Sequence, residues 1–304
     1  MNRRPMAFAA TGVALLLTGC AHVGAPPETW VAWRHQRVEE IGGPKGWASL
    51  AGLHWLAPGT HPIGSDPANA ILLPASAAPG HVGILQVEPG RVVFTPSAEP
   101  SITVDGRPID AGTPCVLQPD QPGPPTVVQS GRATWWVIAR GDRRGIRVRD
   151  PGGPGRAAFK GINVFPYDPR LRVEARLEPF PEPRPVSVPD VAGNIATETA
   201  PGILVFRLNG QEARLMPVED REAHDWFLNF RDATSGHGTY PGGRFLHVPK
   251  AGADGRVVLD FNHAYNPPCA FTAFATCPLP PRTNWLAIPI QAGERYTAPP
   301  GGGH

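Results

Sequence analysis

The sequence predicts a mainly β protein, with two antiparallel β domains behind one short N-terminal helix. Three observations carry that prediction. Of 304 residues, 35 are Gly and 39 are Pro, together 74, a load that breaks long helices and favours short strands joined by turns. Pro-Gly, Asp-Gly or Asn-Gly pairs punctuate the chain about every 8 to 12 residues after Pro44, which is the rhythm of a sandwich or barrel. Helical periodicity is confined to one stretch, residues 28–41. The hydrophobic fraction of 41% is enough for a core, which excludes wholesale disorder. A net charge of +2 with no long Lys/Arg block gives no footprint for nucleic acid.

The N-terminus reads as an export signal over residues 1–20. Arg3 and Arg4 precede an apolar run, Met6 to Leu17, that is too short to span a bilayer. It ends at Leu17-Thr18-Gly19-Cys20, which resembles the bacterial lipobox. The resemblance implies that Cys20 becomes the lipid-modified first residue of the mature protein. With Ala21 next, and no acidic residue there to retain it at the inner membrane, the expected address is the outer membrane facing the periplasm. The lipid is then the membrane attachment, since no later segment is long and apolar enough.

Residues 21–46 read as a tether and a helix. Trp30, Trp33, Arg37, Val38 and Ile41 fall near one helical face, and Gly42-Gly43-Pro44 stops the helix. Residues 47–150 read as a first β domain. Asp105-Gly106, between Ile102-Thr103-Val104 and Arg107-Pro108-Ile109, is a two-residue hairpin signal. The run Asp150 to Arg156 marks the boundary. A second β domain, sandwich or barrel, follows over residues 151–298, with strands expected at 202–209, 212–217, 226–230, 244–248, 256–262 and 284–290 and Asn209-Gly210 as another hairpin turn. The five prolines between Pro179 and Pro189 predict an extended crossing outside any central sheet. Residues 299–304 read as a disordered tail.

In the first domain, Ile63-Gly64-Ser65-Asp66, the strand Asn69 to Leu73, Val104-Asp105-Gly106 and Ile109 resemble a forkhead-associated sandwich. That family holds phosphothreonine with an Arg where this chain has Ser65, and uses Asn where it has Asp105. The resemblance therefore implies the architecture without the phosphopeptide function.

Residues 231–296 are dense in chemically able side chains. The string DFNHAYNPPCAFTAFATCPLPP at 260–281 stands beside Arg231-Asp232-Ala233-Thr234-Ser235-Gly236. With Gly52-Leu53-His54-Trp55-Leu56, Phe159-Lys160-Gly161-Ile162 and Gly293-Glu294-Arg295-Tyr296, these segments resemble the domain-of-unknown-function family 1684. The resemblance covers roughly residues 30 to 296 and implies a domain without an assigned activity, many of whose members are lipoproteins. His263 stands where that family commonly has Lys or Arg, which speaks against an essential ligand.

Asp232, Tyr240, Arg244, Asp260, Asn262 and Asn266 are the expected ligand-binding residues, converging on one pocket beside the Cys269 loop. Arg244 and Tyr240 suit an anion, through a bidentate fork and a hydroxyl, or Arg244 pairs with Asp232 or Asp260. Four cysteines are present. With Cys20 lipid-modified, Cys269 and Cys277 are expected to close a disulfide in an oxidising compartment, and Cys115 to stay a free, mostly buried thiol. Two other readings stay open for the pair. One is a metal site, for which Cys269, Cys277, His237, His247 and Asp260 are suitable types without a recognised spacing. The other is a Cys269 nucleophile served by His263. Without a P-loop, a dinucleotide fingerprint or an EF-hand, the sequence implies no cofactor and no metal. Its first reading is a lipid-anchored protein binding a small, anionic or other, ligand or an envelope partner through the second domain. The alternative is a small-molecule hydrolase built on residues 232–277.

Overall fold

The computed structural model describes residues 25–98, 102–220 and 224–297. The export signal, Cys20 and the 299–304 tail lie outside the described residues. Strands make up 43% of the structure and helices 13%, as the turn rhythm requires. Among the described residues no helix is long and apolar enough to cross a membrane.

Helix α1 (Glu28–Gly42) opens the structure with Glu28 in its first turn, where a carboxylate suits the helix dipole. It ends at Gly43, where a Cβ would lie 2.5 Å from the Glu39 carbonyl. Trp30, Arg37 and Ile41 are buried on one face, whereas Val38, expected on that face, is 41% exposed.

The first β unit contains eleven strands. They are β1 (Leu50–Trp55), β2 (Gly59–Gly64), β3 (Ile71–Leu72), β4 (Gly83–Glu88), β5 (Arg91–Pro96) and β6 (Ile102–Val104). Strands β7 (Arg107–Pro108), β8 (Cys115–Val116), β9 (Val128–Ser130), β10 (Ala133–Arg140) and β11 (Arg143–Arg149) complete it. One sheet runs β1-β11-β10-β9-β6-β7 and the other β3-β2-β4-β5-β8, antiparallel apart from the β2–β3 pair. Strand β4 alternates buried and exposed residues along its length, so one face turns inward. Ile63, Leu85, Phe94, Trp135, Val137 and Ile146 of the two sheets share one core, the arrangement of a sandwich. Asp105 and Gly106 both take positive φ (50° and 77°) in the β6–β7 hairpin, as the turn chemistry demands. The outer face of the six-stranded sheet is covered too: Trp136 and Ile138 pack with Leu50, Trp47 and Phe274. That second cover explains the nearly unbroken burial of β10.

Helix α2 (Pro154–Ala158) begins the connection to the second unit. There, β12 (Arg172–Pro189), β13 (Ile195–Leu208), β14 (Gln211–Leu215) and β18 (Arg256–Asp260) form a sheet ordered β14-β13-β12-β18. Strands β15 (Val218–Glu219), β16 (Trp226–Phe230) and β17 (Arg244–Val248) form a second, three-stranded sheet. Leu204, Leu215, Leu228, Phe230 and Leu259 from both sheets share a core with Phe261, just past β18. The unit is open, and no closed barrel forms.

Two expectations are corrected. The proline run joins β12 as a strand. Residues 184–189 have β13 as their one strand partner, and on the other side only the Pro189 carbonyl is engaged, by the Leu279 amide, so this half of the strand is an edge that tolerates proline; the register breaks between Pro179 and Arg184. Residues 284–290 form no strand: the stretch is a 3-10 turn at Arg282–Asn284 and one bridge, Arg231 to Trp285. Its polar backbone is satisfied piecemeal, as when Arg244 and Asp232 bind groups of Ile290.

Candidate functional site

Most of the six expected binding residues lie inside the second unit. Asp232 and Arg244 form an ion pair at 2.8 Å with no side-chain exposure at either partner. Arg244 Nη2 also donates to the Ile290 carbonyl, and Nη1 to that of Ala292. Asp232 accepts from the backbone and hydroxyl of Thr234 and from the Ile290 amide. The fork expected to meet an anion is thus consumed by a carboxylate and two carbonyls. Burial pulls the Arg244 guanidinium down from its usual range, and Asp232 opposes that pull. Tyr240 is buried with its ring edge-on to Tyr296, and burial keeps its phenol protonated.

Asn262 and Asn266 are each 1% exposed and work as braces. The Asn262 amide exchanges hydrogen bonds with the Asp168 backbone at 2.9 Å in both directions. Asn266 donates from its backbone to Glu294 Oε2 and from its side chain to the Arg295 carbonyl. Asp260 is half-buried, accepts from Asn262 and faces His263 at 3.4 Å. Burial raises the Asp260 carboxyl, but the bonds from His263 and Asn262 outweigh it and hold it below the usual carboxylate range.

Those braces carry a cleft that they do not line. Four residues of α1 (Trp33, Gln36, Arg37 and Glu40) face His247 of β17, His263 and Tyr265 across a cavity of about 330 Å³. Helix α1 is fastened there by Trp30 Nε1, which donates to the Asn262 carbonyl, and by Arg37. Arg37 is 4% exposed, donates to Glu294 Oε1 at 2.8 Å and to the Asn266 carbonyl, and pairs with Glu40. Its guanidinium sits 4.4 Å above the Tyr265 ring. Glu294 reaches this position because Gly293 takes φ +70°, with its Cα so close to Ala264 that a Cβ would lie 2.1 Å from the carbonyl oxygen.

The wall opposite α1 is a hydrogen-bonded series. Tyr265 Oη lies 2.7 Å from His247 Nε2, with the two rings only 10° from coplanar, and His247 Nδ1 lies 3.3 Å from Asp220. Burial pushes the Tyr265 phenol up, against the pull of Arg37, so it remains a hydroxyl donor. His247 thus stands between a phenol at Nε2 and a carboxylate at Nδ1. Trp33 meets the His263 ring edge-on at 4.9 Å. On its other side α1 borders a second hollow of about 470 Å³, with Val31, Val38, Ile162 and Val164 in its lining.

Sequence reasoning named His247 only as a ligand type and discounted His263, and it missed Tyr265 and Asp220. Arg37 was the available signal, a charge on the apolar face of an otherwise ordinary helix. Among the described residues no cluster of three or more His, Cys, Asp or Glu is arranged for a metal. Cys269 and Cys277, expected as a disulfide, are unbonded thiols here: the Cys269 amide donates to Cys277 Sγ at 3.1 Å. Cys115 is a free, half-buried thiol. Asp105 spends its carboxylate on the Val127 amide.

An open two-sheet β unit with a helix-roofed cleft, joined to a β sandwich, is the class of protein these features define. Residues 157–295 match the family described as protein of unknown function (DUF1684), and the chain belongs to that family. The solution NMR structure of an uncharacterized protein of Haloarcula marismortui is similar at 34% identity, covering 48% of this chain and 82% of that one with a TM-score of 0.40. Among curated proteins, none matches.

Proposed function

We propose that the protein is an exported, lipid-anchored binding protein that holds a small, polar, ring-bearing ligand in the cleft beneath α1. The carrying observation is the cleft itself, an aromatic wall of Trp33 and Tyr265 set among Gln36, Glu40, His247 and His263. Flat rings supply contact area, and the polar groups fix orientation. Arg37 is already neutralised by Glu294 and Glu40, which favours an uncharged ligand over the anion expected from sequence. Ligand-observed NMR on the mature protein, against monosaccharides, nucleobases and aromatic acids, tests the reading. Binding of a ring-bearing compound, lost in Trp33→Ala and His247→Ala, is expected. Absence of binders, or binding indifferent to both substitutions, overturns it.

The Tyr265–His247–Asp220 series favours a second reading, a small-molecule hydrolase. A hydroxyl bonded to an imidazole that is oriented by a carboxylate is the arrangement that lets histidine take up the hydroxyl proton. Hydrolysis of p-nitrophenyl esters that falls at least about 100-fold in Tyr265→Phe would support it. An unchanged rate in that variant removes it.

A further inference from the structure

We propose that Cys269 and Cys277 form a thiol–disulfide exchange site whose substrate is a disulfide on another molecule. Cys269 is the attacking sulfur, Cys277 the resolving one, and Arg147 the positioning charge. The Cys269 amide donates to Cys277 Sγ at 3.1 Å, which sets the two residues side by side, and they differ in access: Cys269 is half-buried, whereas Cys277 is 5% exposed among Phe245 and Ala275. An accessible sulfur backed by a buried partner is what a two-step exchange needs.

The charge comes from the other β unit. Arg147 of β11 lies over the seam where residues 269–277 pack on the sandwich, and its Nη2 donates to Thr276. Its side chain is 4% exposed, and its buried Nε has no hydrogen-bond partner. The guanidinium reaches Asp120 only at 4.0 Å, and its positive charge favours the thiolate form of the neighbouring sulfurs. Burial and the like charge of Arg140 push Arg147 down to about 10, against the pull of Asp120 and the two sulfurs. At Cys269 the hydrogen bond from Cys277 lowers the thiol below its ordinary range and Arg147 adds to this, against burial and Asp190. At Cys277 the same bond and burial push the thiol up. Tyr240, the other titratable group at the pair, stays protonated. The exchange is independent of the α1 cleft.

The step balances. The Cys269 thiolate attacks one sulfur of R–S–S–R; that bond breaks, and the leaving thiolate takes a proton to become RSH. Cys277 then gives its proton to solvent and attacks the Cys269 sulfur of the mixed disulfide, which releases the second R–S⁻ to be protonated as RSH. The substrate gains two electrons, and the protein ends with a Cys269–Cys277 disulfide.

Cys115 is a control within the same chain, since burial and Asp105 raise its thiol. The mature protein, reduced with dithiothreitol, is alkylated with iodoacetamide at pH 7 and each cysteine is followed by mass spectrometry. Cys269 should react at least about tenfold faster than Cys115. Arg147→Gln should reduce that advantage and leave Cys115 unchanged, while Arg147→Lys retains it. With oxidised glutathione the wild type should end as the intramolecular disulfide, and Cys277→Ser should accumulate glutathione on Cys269. Resistance of the native protein to dithiothreitol, equal rates at Cys269 and Cys115, or no mixed disulfide in Cys277→Ser overturns the proposal. The Cys277→Ser arm holds even if Arg147→Gln fails to fold.

Discussion

Asp232 and Arg244 show how a residue can look like a binding group and serve the fold. Two opposite charges twelve positions apart meet where water is absent, and every donor of the Arg244 fork but Nε is engaged. A buried pair gives little net stability over an apolar pair, but removing one partner strands the other. Arg244→Met should therefore destabilise the protein by about 3 to 5 kcal/mol in urea denaturation. The double variant Asp232→Leu/Arg244→Met should recover part of that loss. Equal stability of the single variant and the wild type would return Arg244 to the list of ligand-binding residues. From sequence both roles were open, because chemistry at Arg244 depends on residues 46 and 48 positions away.

At the scale of elements, α1 is the piece whose role the fold redefines. It precedes the sandwich in sequence yet docks on the second unit, through Trp30 to Asn262 and Arg37 to Glu294. Arg37→Ala would leave Glu294 buried and unpaired, so local opening of α1 should follow. Hydrogen exchange should show faster exchange across residues 28–42 with little change in β10 and β11. Uniform acceleration through both units would contradict this local role. The β6–β7 and β13–β14 hairpins were legible in advance because Asp105-Gly106 and Asn209-Gly210 adopt positive φ at both central positions. The 184–189 segment was misjudged for a physical reason. Proline excludes a strand from the middle of a sheet, not from an edge that needs no N–H.

For the whole molecule, acid stability follows from which carboxylates the fold binds. Asp150 is held down by Arg132 hydrogen bonds and Asp168 by those of Arg170. Asp260 is held down by His263 and Asn262, net of burial. Folded values below the ordinary 3.8 mean the native state binds fewer protons than the unfolded chain. Their stabilisation is therefore present above about pH 4 and lost as pH falls through the lowered values. Glu294 has the opposite sign: burial raises it beyond what Arg37 restores, so its share is lost as pH rises through the raised value. Urea midpoints should fall below pH 4, and Asp260→Asn should flatten that fall. An acid limb unchanged by Asp260→Asn would contradict the assignment. The lipid anchor is tested at this scale too. Cys20→Ala should move the protein from the membrane fraction to the soluble one with its circular dichroism unchanged, and persistent attachment would refute the lipobox reading.

Local sequence was enough for the β class, the two hairpin turns, the helix over residues 28–41 and the family. Each of these depends on neighbours a few positions away or on a contiguous string such as 260–281. It also supplied the residues beneath the cleft, since Asn262 and Asn266 lie in that string. Only the tertiary structure decided that they brace rather than line it. Burial, pairing and convergence depend on which distant segments meet: 30 with 262, 37 with 294, 220 with 247. The same holds for the thiol pair. Spacing brought Cys269 and Cys277 to one loop, but Arg147, whose charge favours a thiolate there, arrives from the other β unit, over a hundred positions earlier.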